Sequence, residues 1–348
     1  MSEQRYRVAQ WATGHSGVRA LRGVIEHPRY DLVAVWVHSA EKEGRDAGEL
    51  CGVAPTGILA TRSIDDVIAT RPDCVLHMSH AAGDEVDELC RLLESGANVV
   101  TIATDHIPYR DPESMDPAVR ERLEAACERG QTSLYATGPS PGFITENFPL
   151  AVLACMRRLD CLTINEYADM TTRNSPEMIG RMFGKDPSEM DLSRTAAKLA
   201  EDFGAPFRQM ARAVGLSVDE VTGEGSVLLA KHDTEVAVMT IKEGTVGAWH
   251  FEVTAWRQGK PLMKFCPTWY VTPDLDPPLY VRDSGWKVVF EGDPPFEIDV
   301  RFAQGEAYGP VQPGYNSYIL VNAVPNVVAA APGLRTTVDL PPTIPIFA

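Results

Sequence analysis

Three sets of residues in this sequence could do chemistry. The first is Ala12-Thr13-Gly14-His15-Ser16-Gly17, small residues at the A-x-G-x-x-G spacing of a turn that brings backbone N–H groups onto an anion. Side chains would fill the space a pyrophosphate needs, and a helix starting there adds the partial positive charge of its N-terminus. The second is His38-Ser39 with Lys42, at the point where a dinucleotide fold reading NAD places Asp or Glu on the ribose hydroxyls. A carboxylate repels a 2′-phosphate, whereas a hydroxyl, an imidazole able to take a proton and an ammonium attract one. This set favours NADP(H), with NAD(H) as the alternative, and Glu41 and Glu43 dilute the field. The third set is Ser79, His80, Thr104, Asp105 and His106, polar residues that each follow a short apolar run. A carboxyl group so placed suits proton transfer beside a nicotinamide ring; its bland alternative is the cap of a turn.

Elements that would position these groups are legible around them. Residues 6–12 (YRVAQWA) form an apolar run before the turn, and residues 18–27 (VRALRGVIEH) carry apolar positions at helical spacing after it. That order of strand, tight loop and helix is the context the glycine motif requires. Further strands are predicted at residues 31–37 (DLVAVWV), 73–79 (DCVLHMS), 98–103 (NVVTIA) and 133–136, with helices at 83–96 and 117–130. Alternation of this kind gives a doubly wound parallel sheet of Rossmann type, with its ligand site beyond the carboxyl ends of the strands.

From about residue 144 the texture changes. A helix is predicted over 146–159 (ENFPLAVLACMRRL), a strand over 162–170 (LTINEYADM) and helical material through 196–215. Alternating runs at 233–243, 245–271 and 286–302, broken at Gly-Lys-Pro and Gly-Asp-Pro-Pro, read as hairpins of a largely antiparallel sheet. The expected organisation is α/β: a Rossmann domain over 1–143, an α+β substrate-binding and dimerisation domain over 144–305, and a C-terminal helix and tail over 306–348 that return to the first domain. Tyr167 and Asp169 are candidates for a substrate pocket, with sheet packing as an equal alternative. Trp249, His250 and Trp256 lie in a β-rich run where aromatic side chains mostly pack.

Composition narrows the field. A net charge of −16 with no basic cluster repels nucleic acid and anionic membranes. The opening residues lack a basic segment followed by an apolar core, and no stretch reaches membrane-spanning length, so a cytoplasmic protein is expected. Seven widely spaced cysteines without a CxxC pair read as buried thiols, and His77 with His80 lacks a third ligand in reach, so no metal is expected.

The opening YRVAQWATGHSGVRALRGVI, the segment VHSAEKEGRDAGEL, NVVTIATD, TGPSPGF and the closing VNAVPNVVAAAPGLRTTVDLP occur in this order along nearly the whole chain. In them the sequence resembles the dihydrodipicolinate-reductase-like family that contains 2,4-diaminopentanoate dehydrogenases and native amine dehydrogenases. The resemblance implies a commonly dimeric NAD(P)-dependent enzyme that joins ammonia to an aldehyde or ketone, or oxidises the corresponding amine. It also makes Asp105 the catalytic carboxylate, where glutamate is usual, and Gly138 and Ser140 part of a cofactor-binding turn whose asparagine is replaced by Ser140. His15, where asparagine is frequent, is a third departure. His106, Tyr109 and Phe143 are then candidates for the substrate pocket. Motifs diagnostic of true dihydrodipicolinate reductases are absent. Two other functions fit the residues: a carbonyl or imine reductase that ignores free ammonia, and a nucleotide-binding regulatory protein without turnover.

Overall fold

The computed structural model describes residues 4–79, 85–102, 111–302 and 308–347, with 308–313 described by their backbone alone. The chain divides into two compact units, Met1–Asn147 with Val311–Ala348, and Phe148–Pro310. Its first elements are β1 (Tyr6–Trp11), α1 (His15–Glu26), β2 (Tyr30–Trp36), α2 (Ala47–Cys51), α3 (Ile64–Ala69), β3 (Cys74–His77), α4 (Glu85–Glu94), β4 (Asn98–Thr101), α5 (Pro117–Gly130) and β5 (Ser133–Ala136). Next come α6 (Phe148–Leu153), β6 (Arg158–Asp169), α7 (Pro176–Met182), α8 (Leu192–Ala213), β7 (Glu220–Ala230), β8 (Thr234–Val236), β9 (Met239–Ile241), β10 (Val246–Arg257), β11 (Lys260–Tyr270), β12 (Leu275–Asp276), β13 (Gly285–Asp293) and β14 (Phe296–Arg301). The chain closes with α9 (Tyr308–Val328) and β15 (Gly333–Arg335).

In the first unit the strand order is β15-β5-β4-β3-β1-β2, and every neighbouring pair is parallel. Strands β3, β4 and β5 are buried at all four positions, as a parallel sheet covered on both faces demands. Alternate residues sort into two layers. Ala9, Val75, Val99 and Leu134 pack with Leu89 and Leu93 of α4 and Leu123 and Ala126 of α5. Val8, Leu76, Val100 and Tyr135 pack with Ala20 and Val24 of α1 and with Leu320, Val321 and Val324 of α9. Helix α9 is also pinned by hydrogen bonds, Tyr30 Oη donating to the Val321 carbonyl at 2.7 Å and Ser317 Oγ to the Ser16 carbonyl at 2.7 Å. Because β2 lies on one side of β1 and β3 on the other, the sheet has its topological switch point between β1 and β3, where this class of fold opens a crevice.

The second unit holds a seven-stranded sheet ordered β12-β7-β10-β11-β6-β13-β14, antiparallel except for the β6–β11 pair. Helix α8 lies against β7 and β10; a side chain at Gly223 would collide with the Ala196 carbonyl at 2.2 Å, so the glycine permits that approach. Strands β8 and β9 form a separate two-stranded sheet.

Several sequence expectations are corrected. The helix expected over 146–159 ends with α6 at Leu153, because Arg158 already pairs with Asp293 in the sheet and tertiary pairing overrides the local apolar spacing. Strand β7 was not foreseen, since its Gly223 and Gly225 interrupt the alternation. The β10–β11 turn is Gln258-Gly259, with φ of 52° and 72°, whereas Lys260 and Pro261 already belong to β11. Positive φ at both central residues matches the twist of a two-residue hairpin.

Candidate active site

Loop 12–17 is shaped by its own backbone. Ala12 takes a positive φ of 69°, a conformation in which glycine is at ease and alanine is strained. Its carbonyl is held by Gln10, a fully buried side chain whose Nε2 donates to it at 2.8 Å and to the Trp11 carbonyl at 3.3 Å. The same carbonyl lies 2.3 Å from where a Gly17 Cβ would stand, so Gly17 is fixed by the close approach of α1 to β1. Gly14 differs: a Cβ built there meets nothing within 4 Å. Helices α2, α3, α5, α7 and α8 each begin on an Asp or Ser whose side chain accepts a backbone N–H; α1 begins on Gly14, without a capping side chain. An open glycine at a helix N-terminus, at the switch point of a parallel sheet, is a cradle that fits a pyrophosphate.

At the end of β2, His38 is exposed and Ser39 half-buried. Lys42 folds back onto the loop, its Nζ donating to the Thr13 carbonyl at 2.8 Å and meeting Thr13 Oγ1 at 3.3 Å. A cleft of about 480 Å3 is lined by Thr13, Gly14, His15 and Lys42 together with Arg19 and Arg22. The two arginines escaped the sequence reading, although they stand four and seven residues after His15 on one helix face. The structure thus brings Ala12, Thr13, Gly14, His15, Ser16, Gly17 and Lys42 to one place.

Ser79 lies just beyond the end of β3 and is half-buried. His80, Thr104, Asp105, His106 and Tyr109 lie outside the described residues. Just before the first of these segments, His77 is fully buried, its Nδ1 3.1 Å from Thr101 Oγ1 and 3.7 Å from Glu85 Oε1. After β5, loop 137–142 is closed by Phe143 N–H on the Gly138 carbonyl at 2.7 Å and Ile144 N–H on the Pro139 carbonyl at 2.9 Å. Gly138 is buried, Ser140 half-buried and Phe143 exposed, and a π-helical turn runs over Phe143–Asn147. Glu146 in that turn is buried and accepts the Thr337 hydroxyl, which itself meets Tyr135 Oη at 3.3 Å. No spacing in the sequence marked Glu146, because its partner lies far along the chain.

In the second unit Tyr167 lies beneath the Arg282 guanidinium, 5.0 Å from its ring centre, and burial raises its phenol above the ordinary value while Arg282 pulls the other way. The Asp169 carboxyl is engaged locally, accepting from Thr171 N–H at 2.9 Å and Thr171 Oγ1 at 2.7 Å. Trp249 donates to the Met182 carbonyl at 2.6 Å, His250 meets Thr268 Oγ1 at 2.9 Å and Trp256 donates to Thr222 at 2.8 Å, all packing roles. Glu166, unremarked in the sequence, accepts both the Trp269 and Trp286 indoles, at 2.9 and 2.8 Å. Burial pushes the Cys127 thiol up to about 11 and the Cys266 thiol up to about 12, so neither is a thiolate at neutral pH.

Comparison with known proteins gives this geometry a family. Residues 201–347 match the family model described as the 2,4-diaminopentanoate dehydrogenase C-terminal domain. An amine dehydrogenase of Streptomyces virginiae is 32% identical, over 95% of this chain and 95% of its own. Among solved structures, the amine dehydrogenase from Mycobacterium smegmatis superposes with a TM-score of 0.79 at 18% identity, covering 99% of this chain and 98% of that one. The GenD2 protein of gentamicin A biosynthesis, solved in complex with NAD, gives 0.52 at 13% identity over 93% and 87%. The structural likenesses speak for the fold, and the sequence likeness, sustained along almost the entire length of both proteins, shows that this chain belongs to the amine dehydrogenase family of oxidoreductases.

Proposed function

We propose that this protein interconverts a small amine and the corresponding carbonyl compound plus ammonia, using a nicotinamide dinucleotide. The observation that carries the proposal is the open Gly14 cradle at the α1 N-terminus in a chain of amine dehydrogenase sequence. The pyrophosphate would rest on residues 13–17. Lys42, His38 and Ser39, with Arg19 and Arg22 in the same cleft as Lys42, favour the extra 2′-phosphate of NADP(H) over NAD(H). When bound, the nicotinamide supplies or takes up the hydride.

The protein's own task is proton traffic and charge. Asp105, in the segment that follows β4, would take a proton from ammonium, return it to the hydroxyl that leaves as water, and stabilise the cationic iminium carbon by its negative charge. His106, Tyr109 and Phe143 would supply polar and aromatic walls for such a pocket, and Tyr167 is the substrate-contact candidate of the second unit. Asp169 is the weaker candidate of the substrate set, since its carboxyl closes its own turn.

A spectrophotometric panel of short aldehydes and ketones tests this reading, with NADPH and NADH, with and without concentrated ammonium, on the wild type and Asp105→Asn. Ammonium-dependent oxidation of NADPH, faster than of NADH and reduced about 100-fold or more in Asp105→Asn, is expected. Turnover indifferent to ammonium would make the protein a carbonyl reductase, and cofactor binding without any turnover would make it a regulatory binder.

A further inference from the structure

Among the described residues of the first unit, buried hydroxyls are spoken for with two exceptions. Thr101 meets His77, Thr132 donates to the Leu93 carbonyl, Ser133 to the Ala331 carbonyl, Thr145 accepts Gly142 N–H, Ser317 donates to Ser16, and Thr337 binds Glu146. Thr137 Oγ1 and Ser140 Oγ are buried atoms with no hydrogen-bond partner among the described residues. Thr137 is 1% exposed. A hydroxyl in such a place serves packing worse than a methyl would, because its donor and acceptor both lose water without return.

The backbone that carries each group is held in place. Thr137 N–H is bonded to the Thr101 carbonyl at 3.0 Å, which continues the β4–β5 pairing one residue past the strand. Ser140 stands between Pro139 and Pro141 in a loop closed by the two backbone bonds from Phe143 and Ile144. The two hydroxyls are therefore carried on held backbone just past the carboxyl end of β5, the end at which ligands of such parallel sheets bind.

We propose that Thr137 and Ser140 together anchor the carboxamide of the nicotinamide ring, an inference that rests on the cofactor reading above. A carboxamide offers one carbonyl acceptor and an NH2 donor, and two hydroxyls, each able to donate and accept, complement it. Holding the carboxamide fixes the rotation of the ring about its bond to the ribose and so the ring face turned toward the substrate. No charge is needed for this, which suits a ring that is cationic when oxidised and neutral when reduced.

The test compares three ligands by titration calorimetry: NADP+, its 3-acetylpyridine analogue, in which a methyl replaces the amide NH2, and 2′-phospho-ADP-ribose, which lacks the ring. Thr137→Val and Ser140→Ala should each weaken NADP+ about tenfold, the scale of one lost hydrogen bond in a buried site. Binding of 2′-phospho-ADP-ribose should stay within about twofold of the wild type, and the penalty should shrink with the acetylpyridine analogue. Thr137→Ser, which keeps the hydroxyl, should retain affinity, and the thermal midpoint of the ligand-free Thr137→Val protein should hold or rise. Unchanged NADP+ affinity in both variants overturns the proposal, as does an equal loss for 2′-phospho-ADP-ribose, which would place the loop's role in folding. A wild type that binds 2′-phospho-ADP-ribose no better than a Gly14→Val variant would sink the cofactor reading itself, a failure distinct from that of the hydroxyl pair.

Discussion

The carboxyl edge of the first unit's sheet and the seven-stranded sheet of the second handle their polar groups in opposite ways. In the second unit's sheet, polar side chains close on one another: Glu166 takes two indoles, Lys264 sits on Glu252 at 2.7 Å, and Arg282 on Asp299 at 2.7 Å. At the edge of the first unit, the Thr137 and Ser140 hydroxyls have no partner among the described residues, Gly14 faces open space and α1 starts without a side-chain cap. Satisfied networks specify structure and cost nothing further; unsatisfied groups held rigidly are paid for in stability and gain a return only from a ligand. Buried atoms without a partner among the described residues also occur on Trp11 and on Gln209 of α8, so it is unpaired polarity just past the carboxyl ends of the parallel strands, and not unpaired polarity alone, that marks the proposed site.

The sharpest way to break this contrast is at Gly14. Its φ of −71° and ψ of −168° lie in a region any residue adopts, and its Cβ direction is empty, so Gly14→Val should fold with a thermal midpoint close to the wild type. Cofactor affinity should nevertheless fall by about 100-fold or more, roughly 2.7 kcal/mol, because the valine methyls would stand where the pyrophosphate lies. Undiminished binding in fluorescence titration would mean that the open glycine is not the cradle.

The second unit predicts the reverse pattern. Glu166→Gln keeps the size of the side chain but replaces one acceptor by an NH2 group facing an indole N–H. Chemical denaturation should show a loss of roughly 1–3 kcal/mol, with a shift in tryptophan emission, while cofactor affinity stays as in the wild type. An unaltered stability combined with lost turnover would move Glu166 from the scaffold to the substrate site and dissolve the contrast.

How much of this was legible beforehand follows the range of the interactions. Strands β1 and β5, helix α5 and the loop 12–17 are written in local periodicity and in small residues, so the sequence shows them directly. The absence of a carboxylate at His38 and Ser39 is equally visible, because it is a local fact of the sequence. Glu146, Glu166 and the orphaned Thr137 hydroxyl were not legible in the same way. Their character depends on Thr337, on two tryptophans of other strands, and on what a fixed loop keeps out of reach. Strand β7 was hidden for a related reason, its glycines being chosen by the Ala196 carbonyl of α8 and the Phe251 ring rather than by strand propensity.

The smallest effect is expected at Ala12, where the sequence departs from the first glycine of the fingerprint and the backbone still takes φ of 69°. Releasing alanine from a left-handed conformation returns about 1–2 kcal/mol. Against that, Ala12→Gly loses a methyl that packs on the core of the first unit, about 0.8 kcal/mol, and frees the unfolded chain, about 0.4–1 kcal/mol. These terms nearly cancel, so Ala12→Gly should leave stability within about 1 kcal/mol of the wild type and leave cofactor affinity unchanged, since the Gln10 clamp on the residue 12 carbonyl and the contact with Gly17 are backbone features that survive. Ala12→Val, branched at Cβ and forced into the same conformation, has no compensating gain and should be clearly destabilised in the same denaturation series. If Ala12→Gly instead weakened cofactor binding severalfold, the methyl itself would be part of the site, and the division of the loop into a conformational position, a packing position and an open one would have to be redrawn.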